Sequence, residues 1–290
     1  MKKQLATMTV VIIAMMCLSQ AYSHYFSNPW TRDGQVRAHI IQITPRVTGP
    51  VTRLHVGDDE YVRKGDLLFE IEPSLYIAAL ANAKANELQA SALLEKARNE
   101  SARITALETL EKGTVSTLDL NNVHNAVKTA EANLAAAAAV VEQARLNLDF
   151  TKVIAPTSGY ITNLNLRVGA QVVANSPVVA LIDANSFWVE GFFKETDLQG
   201  VQTGDIAMVT LMMNPDEPMP AVVTSVGYGI AKADGSTGNT LLPNVNANFQ
   251  WIRLAQRLPV KVSLLDVPAD VQLRVGTTAS VLIAKSVGPQ

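Results

Sequence analysis

The stretch from Val47 to Pro73, VTGPVTRLHVGDDEYVRKGDLLFEIEP, has an echo about 110 positions later, from Ala155 to Asp183, APTSGYITNLNLRVGAQVVANSPVVALID. Both copies run glycine, alternating apolar strand, polar turn, apolar strand, the period-two pattern of half-buried β-structure. Gly49 aligns with Gly159, Val51 with Ile161, Leu54 with Leu164, Val62 with Val173, and Leu67-Leu68 with Val178-Val179, the turns differing by about one residue. Gly57, Gly65 and Gly169 stand where hairpins need positive φ or a tight corner. What lies between the copies is unrelated to either. A single small β domain, opened where its halves join and filled with a helical arm, accounts for both facts.

The insert from Ser74 to Asp149 has no proline, and its one glycine is Gly113. Alanine and long polar residues dominate, and these are strong helix formers. Pro73 suits a helix entry, Gly113 a turn, and Ser116 or Thr117 the cap of a second helix. The pattern predicts helices over Ser74–Lys112 and Thr117–Asp149, each about 50 Å long. On the second helix Val123, Val127, Ala130, Leu134, Ala137, Val141, Ala144 and Leu148 alternate in steps of four and three, the seam of a left-handed coiled coil. The matching stripe expected on the first helix is Ala78, Ala81, Ala85, Leu88, Ala92, Glu95, Asn99 and Ala102. Stripes this narrow hold two helices together but do not bury them on a third surface, so the arm is expected to project as an antiparallel hairpin.

After Asp183 come strand-like runs at Phe187–Phe193, Ala207–Met212, Ala221–Gly227, Pro259–Leu264 and Ala279–Ile283, spaced as in a small antiparallel barrel. Ala231–Asn248, rich in Gly, Asn, Ser and Asp, reads as a long loop within it, and Gln35–Ile43 as a strand that joins either β domain. At the other end, Lys2 and Lys3 precede a nearly uncharged run from Leu5 to Tyr22, followed by Tyr25, Phe26 and Trp30. The run is just long enough to span a bilayer, with lysines inside and interfacial aromatics outside. Ser19 and Ala21 also offer a signal-peptidase pattern. Both readings export the body of the chain, and the retained anchor is favoured by the length of the run and the aromatics after it.

The 290 residues carry a net charge of -2, with 48% hydrophobic and 17% charged residues, so no basic face is available for nucleic acid. The one cysteine, Cys17, excludes an intramolecular disulfide and a cysteine-based zinc site. His24, His39, His55 and His124 are scattered without metal-ligand spacing, and Asp58, Asp59 and Glu60 read as solvated turn residues. There is no phosphate loop and no GxSxG elbow, so neither an enzyme site nor a cofactor site is expected.

Taken together, the order of parts closely resembles the HlyD-family membrane fusion proteins, the periplasmic adaptors of efflux pumps and secretion systems. The half-domain signatures VxGxVxxLxVxxxxxVxxGxxLxxI and IxAPxxGxI are met at Val47–Ile71 and Ile154–Ile161. TRDGQVRA near Thr31 and NFQWIRLAQRLPVKV near Asn248 resemble the AaeA and MdtN-type subgroup. The resemblance implies a mainly β fold with a long helical hairpin. Its parts would be an N-terminal transmembrane anchor over residues 1–26, a linker and leading strand over 27–44, a split lipoyl-like sandwich over 45–73 plus 151–183, the hairpin over 74–150, and a β-barrel domain over 184–290. It also implies a single-pass inner-membrane protein with a periplasmic body in a Gram-negative bacterium. Its partners would be an inner-membrane transporter and an outer-membrane TolC-type channel, and it would form a ring or tube of identical copies exporting small molecules such as aromatic carboxylic acids or drugs. The tip residues implied for channel docking are Arg103, Leu107, Leu110, Gly113, Ser116 and Asp119, although Arg103 stands further from Ser116 than the family's usual spacing. Two alternatives stand beside this: a type I protein-secretion adaptor, whose arms are usually longer, and a lipoyl or biotinyl carrier, whose modified lysine would sit at the join that the arm replaces. Lys152 is the nearest lysine to that join.

Overall fold

A computed structural model describes residues 28–229, 255–268 and 270–285, with Ile12 and Ala14, Met15 and Met16. In chain order the elements are β1 (Trp30–Arg37), β2 (Ile40–Ile43), β3 (Gly49–Leu54), β4 (Tyr61–Val62), β5 (Leu67–Ile71), α1 (Ser74–Leu110) and α2 (Thr117–Asp149). They continue with β6 (Lys152–Ile154), β7 (Gly159–Thr162), β8 (Gln171–Val172), β9 (Val179–Asp183), β10 (Trp188–Lys194), β11 (Ile206–Leu211), β12 (Asn214–Val226), β13 (Arg257–Leu264) and β14 (Thr278–Ala284). The chain divides into two compact units, residues 40–183 and the remainder.

In the first unit two four-stranded sheets, β6-β5-β3-β8 and β2-β9-β7-β4, close over one core that includes Val51, Leu68, Phe69, Ile71, Ile161 and Leu181. Exchanging β3 with β7, β4 with β8, β5 with β9 and β6 with β2 turns one sheet order into the other, a quasi-twofold relation. The halves complete each other: Gly49 pairs with Val172 across β3 and β8, and Val62 with Gly159 across β4 and β7. The backbone bonds repeat in kind. Asp59 N–H donates to Ile161 O at 3.0 Å and Ile161 N–H to Glu60 O at 3.0 Å, while Gly169 N–H donates to Val51 O at 2.8 Å and Val51 N–H to Ala170 O at 2.9 Å.

These pairings correct the register of the echo. The offset stays near 110 residues (49 to 159, 59 to 169, 62 to 172, 71 to 181), so the turns do not differ in length. The counterpart of Val62 is Val172, equally buried, whereas Val173 is exposed, and the counterpart of Phe69 is Val179. Doublets such as Val172-Val173 and Val178-Val179 permit a one-residue slip on paper. The two-residue side-chain period permits only one register that fills the core. Positive φ is found at Gly65 (93°) and Gly169 (87°), but Gly57 does not need it, because Asp59 (59°) occupies the corner equivalent to Gly169. Asx residues tolerate the left-handed region better than other side chains. Gly49 is required for space instead: a Cβ there would stand 2.6 Å from Ile71 Cγ2. Gly159 is buried in β7 opposite Val62.

The arm leaves the sandwich between β5 and β6. Its roots are tied by Ile71 N–H to Thr151 O at 2.8 Å, by Tyr76 O–H to Thr48 O at 2.7 Å, and by the Arg46 guanidinium 4.6 Å from the Phe150 ring centroid. On α2 the inward positions are Val123, Val127, Ala130, Leu134, Ala137, Val141, Ala144 and Leu148, extended to Leu120 at the tip end. On α1 the inward stripe is Tyr76, Leu80, Ala83, Glu87, Ala90, Leu94, Ala97, Ser101, Ile104 and Glu108, also in steps of four and three. This corrects the expected partner stripe. Ala78, Ala81, Ala85, Leu88, Ala92, Glu95, Asn99 and Ala102 lie on the outer face, Leu88 with 71% of its surface in water. Two heptad stripes coexist on α1, and the size of the side chains decides between them. The inner stripe holds Tyr76, Leu80, Leu94 and Ile104, each worth roughly 1.5–3 kcal/mol when fully buried, against alanines and a single leucine on the outer one.

The second unit is a closed barrel in the order β1-β10-β13-β12-β11-β14 around Val36, Val189, Phe193, Val209, Met219, Val262, Val281 and Ile283. The leading segment is thus two strands in two domains, β1 in the barrel and β2 in the sandwich, broken at Ala38-His39. There His39 N–H donates to Ser186 Oγ at 2.8 Å and its ring lies 4.9 Å from that of Trp188. The strand β12 begins at Asn214, well before the sequence pattern starts it, because Pro215, Pro218 and Pro220 mask it. The register with β13 starts only at Ala221, so the first half of β12 has one ladder, with β11. Pro220 O accepts from Leu265, so Pro220 and Pro218 turn their nitrogens away from β11, where no ladder bond is lost. The expected Ala231–Asn248 loop and the expected anchor over residues 1–26, apart from Ile12 and Ala14–Met16, lie outside the described residues. Among the described residues no helix is long and apolar enough to cross a membrane.

Gly49→Val should destabilise the sandwich by about 1–3 kcal/mol through overpacking against Ile71, and so lower its unfolding midpoint. Chemical denaturation followed by circular dichroism measures it, and an unchanged midpoint would refute the close approach.

Candidate functional site: the tip of the arm

The chain reverses between Leu110 and Thr117. Glu111 closes α1 in extended geometry, its N–H bonded to Leu107 O at 3.2 Å, and Gly113 takes φ 87° with open space around it. Ser116 begins α2 as its N-cap, its hydroxyl accepting from Leu118 N–H at 3.2 Å, and Asp119 lies in the first turn, where a negative charge suits the helix dipole. Ser116 therefore has a structural duty, whatever else it touches.

The residue that fixes the turn is one the sequence reading missed. Glu108 Oε1 accepts from Gly113 N–H at 2.9 Å and Oε2 from Val115 N–H at 3.0 Å. The Gly113 N–H, and then the Val115 N–H, hold the Glu108 carboxyl below its ordinary value, against a smaller opposing push from desolvation. The signal in the sequence was a glutamate five residues before the turn glycine, on what proves to be the inner stripe.

Around this turn the apolar side chains face outward. Leu110 exposes 84% of its surface and Leu118 65%, with Leu107 exposed beside them on the tip-proximal turn of α1. Arg103 is further back on α1 and spends its guanidinium on both Glu100 carboxylate oxygens at 2.8 Å, an exposed i,i+3 pair worth only ~0.3–0.5 kcal/mol. Between the helices Arg98 reaches Glu131 at 2.8 Å. The tip thus gathers Leu107, Leu110, Gly113, Ser116 and Asp119, and leaves Arg103 a turn or more away.

Other candidate groups have ordinary structural partners. Asp58 Oδ1 accepts from Leu164 N–H at 3.1 Å and Glu60 Oε2 from Gly57 N–H at 2.6 Å, so the acidic turn is bonded to its own backbone. His55 meets Glu70 at 3.0 Å and His124 meets Leu120 O at 2.8 Å; His24 lies outside the described residues. Lys152 opens β6 opposite Glu70, on a strand and not in a hairpin loop. Among the described residues no group of three or more His, Cys, Asp or Glu is placed to hold a metal ion.

The model for the barrel-sandwich hybrid domain of RND membrane fusion proteins (RND MFP) matches residues 39–184, half of the chain, and covers the sandwich and arm together. The chain belongs to the membrane fusion protein family. The AAEA-like β-barrel domain matches residues 186–284 of this membrane fusion protein. The uncharacterized protein YdhJ of Escherichia coli is 36% identical over 283 residues, 98% of each chain. Two solved structures share the fold. The membrane fusion protein Spr0693 of Streptococcus pneumoniae has a TM-score of 0.63 at 16% identity, covering 88% of this chain and 98% of that one. MacA of Actinobacillus actinomycetemcomitans has a TM-score of 0.60 at 20% identity, covering 89% and 78%.

Because the carboxylate form of Glu108 makes the two bonds, its contribution to the turn is full above the usual carboxylate range. That contribution is lost as pH falls through the lowered pKa. The amide proton resonances of Gly113 and Val115 should therefore titrate together, with a midpoint below the ordinary glutamate value, and Glu108→Ala should abolish the titration. A midpoint at or above the ordinary value would contradict the geometry.

Proposed function

We propose that this membrane fusion protein is the periplasmic adaptor of a small-molecule efflux system, joining an inner-membrane transporter to an outer-membrane channel of the TolC type. The observation that carries the reading is the pair of exposed leucines, Leu110 and Leu118, at the end of an arm about 50 Å long. Isolated apolar side chains are common on surfaces, but here they crown a turn that Glu108 holds rigid. That is how a small hydrophobic plug is presented to a groove between helices. The N-terminal run is read as the retained inner-membrane anchor. Ile12, Met15 and Met16, helical and with most of their surfaces exposed, are the kind of side chains a lipid environment would cover.

The adaptor performs no chemistry of its own in this reading. Several copies form a ring or tube around the conduit, and the barrel engages the transporter. The outer face of α1, with Ala78, Ala81, Ala85 and Ala92, suits close approach of a neighbouring hairpin. Helices of 37 and 33 residues favour a small-molecule pump over a type I secretion adaptor, which usually carries a longer arm. A carrier role is disfavoured because the join that would bear a modified lysine is the root of the arm.

Two changes test the reading at different points. Leu110→Asp leaves the seam and the cap untouched and should abolish channel association and efflux while the protein remains at wild-type abundance in the membrane fraction. Replacing Ala130 and Ala137 together by leucine should splay the helices, costing on the order of 1–3 kcal/mol for each overpacked position, and should likewise stop transport. Unimpaired efflux in the Leu110→Asp strain would sink tip docking.

A further inference from the structure

Outside the arm, the outer wall of the barrel carries an apolar belt that the barrel's own packing does not use. The strand register places its members side by side. Trp30 on β1 is opposite Leu282 on β14, Leu282 is opposite Met208 on β11, and Met208 is opposite Pro220 on β12. Trp30 exposes 51% of its surface, with Leu282, Met208 and Pro220 also turned to solvent. Adjacent strands lie ~4.8 Å apart, so the row is continuous over four neighbouring strands. A second row, Ile206 with Ala284, lies beside it.

The belt has a direction. One step along the same strands the outward pair is Thr210 with Ser280, and at the next position Gln35 pairs with Thr278. The exposed Met212 and Met213 of the β11–β12 turn lie beyond this polar stretch. The apolar end is the end where β1 begins and β14 finishes. Basic groups border it: the Arg32 guanidinium sits 5.8 Å from the Trp30 ring centroid, and Lys285 follows Ala284. A tryptophan with basic and aliphatic neighbours is the composition that settles at the boundary between lipid headgroups and acyl chains.

The chain itself brings this belt to such a boundary. The apolar run ends at Tyr22, and β1 starts at Trp30. The intervening residues, fully extended, reach no more than about 28 Å. We propose that the Trp30–Leu282–Met208 belt rests on the outer surface of the bilayer in which the N-terminal run is anchored, with Trp30 seated at the headgroup level and Arg32 and Lys285 against anionic headgroups. This rests on the anchored reading given above and adds to it a lipid-facing side of the barrel. The alternative occupants, a second copy of the chain or the transporter, lack this argument from tether length.

The test uses the full chain in vesicles of phosphatidylcholine with one-fifth phosphatidylglycerol, made with or without lipid brominated near the headgroup end of its acyl chains. The protein should float with the vesicles, and its tryptophan emission should fall with brominated lipid. The quenched component should be lost in Trp30→Phe, which leaves Trp188 and Trp251 in place, and weakened in Leu282→Asp, whose side chain points away from the barrel core. Failure to float would overturn the anchor and the belt proposal together. Flotation with quenching that is absent, or unchanged in Trp30→Phe, would overturn the belt proposal and leave the anchor standing. A blue-shifted Trp30 emission that brominated lipid does not quench would assign the belt to a protein surface instead, and would also overturn it.

Discussion

The exchange of strands between two half-domains far apart in sequence is the constraint on which the arm depends. Neither half can fill its sheet alone: β3 needs β8 from the other half, and β7 needs β4. Because the halves must meet, whatever joins them must leave and return at the same place. The ends of β5 and β6 are antiparallel neighbours, with Glu70 opposite Lys152. An insert at that point is therefore compelled to be an antiparallel hairpin, and Thr151, buried beneath it, accepts the bond that closes the base. The same feature that creates the arm removes the loop in which a carrier domain would present its lysine.

Given that base, the arm is held by little. Its seam is one side chain wide, and on α1 it is interrupted by Glu87 and Ser101 before it reaches Glu108. Tyr76 at the root packs against the sandwich core, and Leu80, Leu94 and Ile104 carry the seam outward. At the far end a buried core is replaced by hydrogen bonds to a carboxylate. Such bonds are charge-assisted and directional, and so fix the geometry of a turn that has almost no apolar surface to bury.

The echo, the inserted helices and a small antiparallel barrel were legible because each rests on a period: two for strands, three and four for the coiled coil. Where the reading failed, two solutions with the same period competed. The valine doublets admitted two registers, and α1 carried two heptad stripes, the more continuous of which, on paper, faces water. An alanine stripe and a leucine stripe score alike by pattern and differ in energy. The role of Glu108 was invisible for another reason: a polar residue on an inward stripe reads as a blemish until the turn that it bonds is known. The first half of β12 was hidden by its prolines, which are harmless where a strand has a single neighbour.

Under the proposed function this chain is a mechanical part, a β base carrying an apolar-tipped arm, with a barrel of its own. The central claim is that Leu110 meets the outer-membrane channel in the working assembly. The most direct measurement places a photo-crosslinking amino acid at position 110 of the full chain in living cells and identifies the partner by mass spectrometry. The account expects a covalent adduct with an outer-membrane channel protein. A probe at position 110 that captures no outer-membrane protein, in cells where efflux is intact, would contradict it.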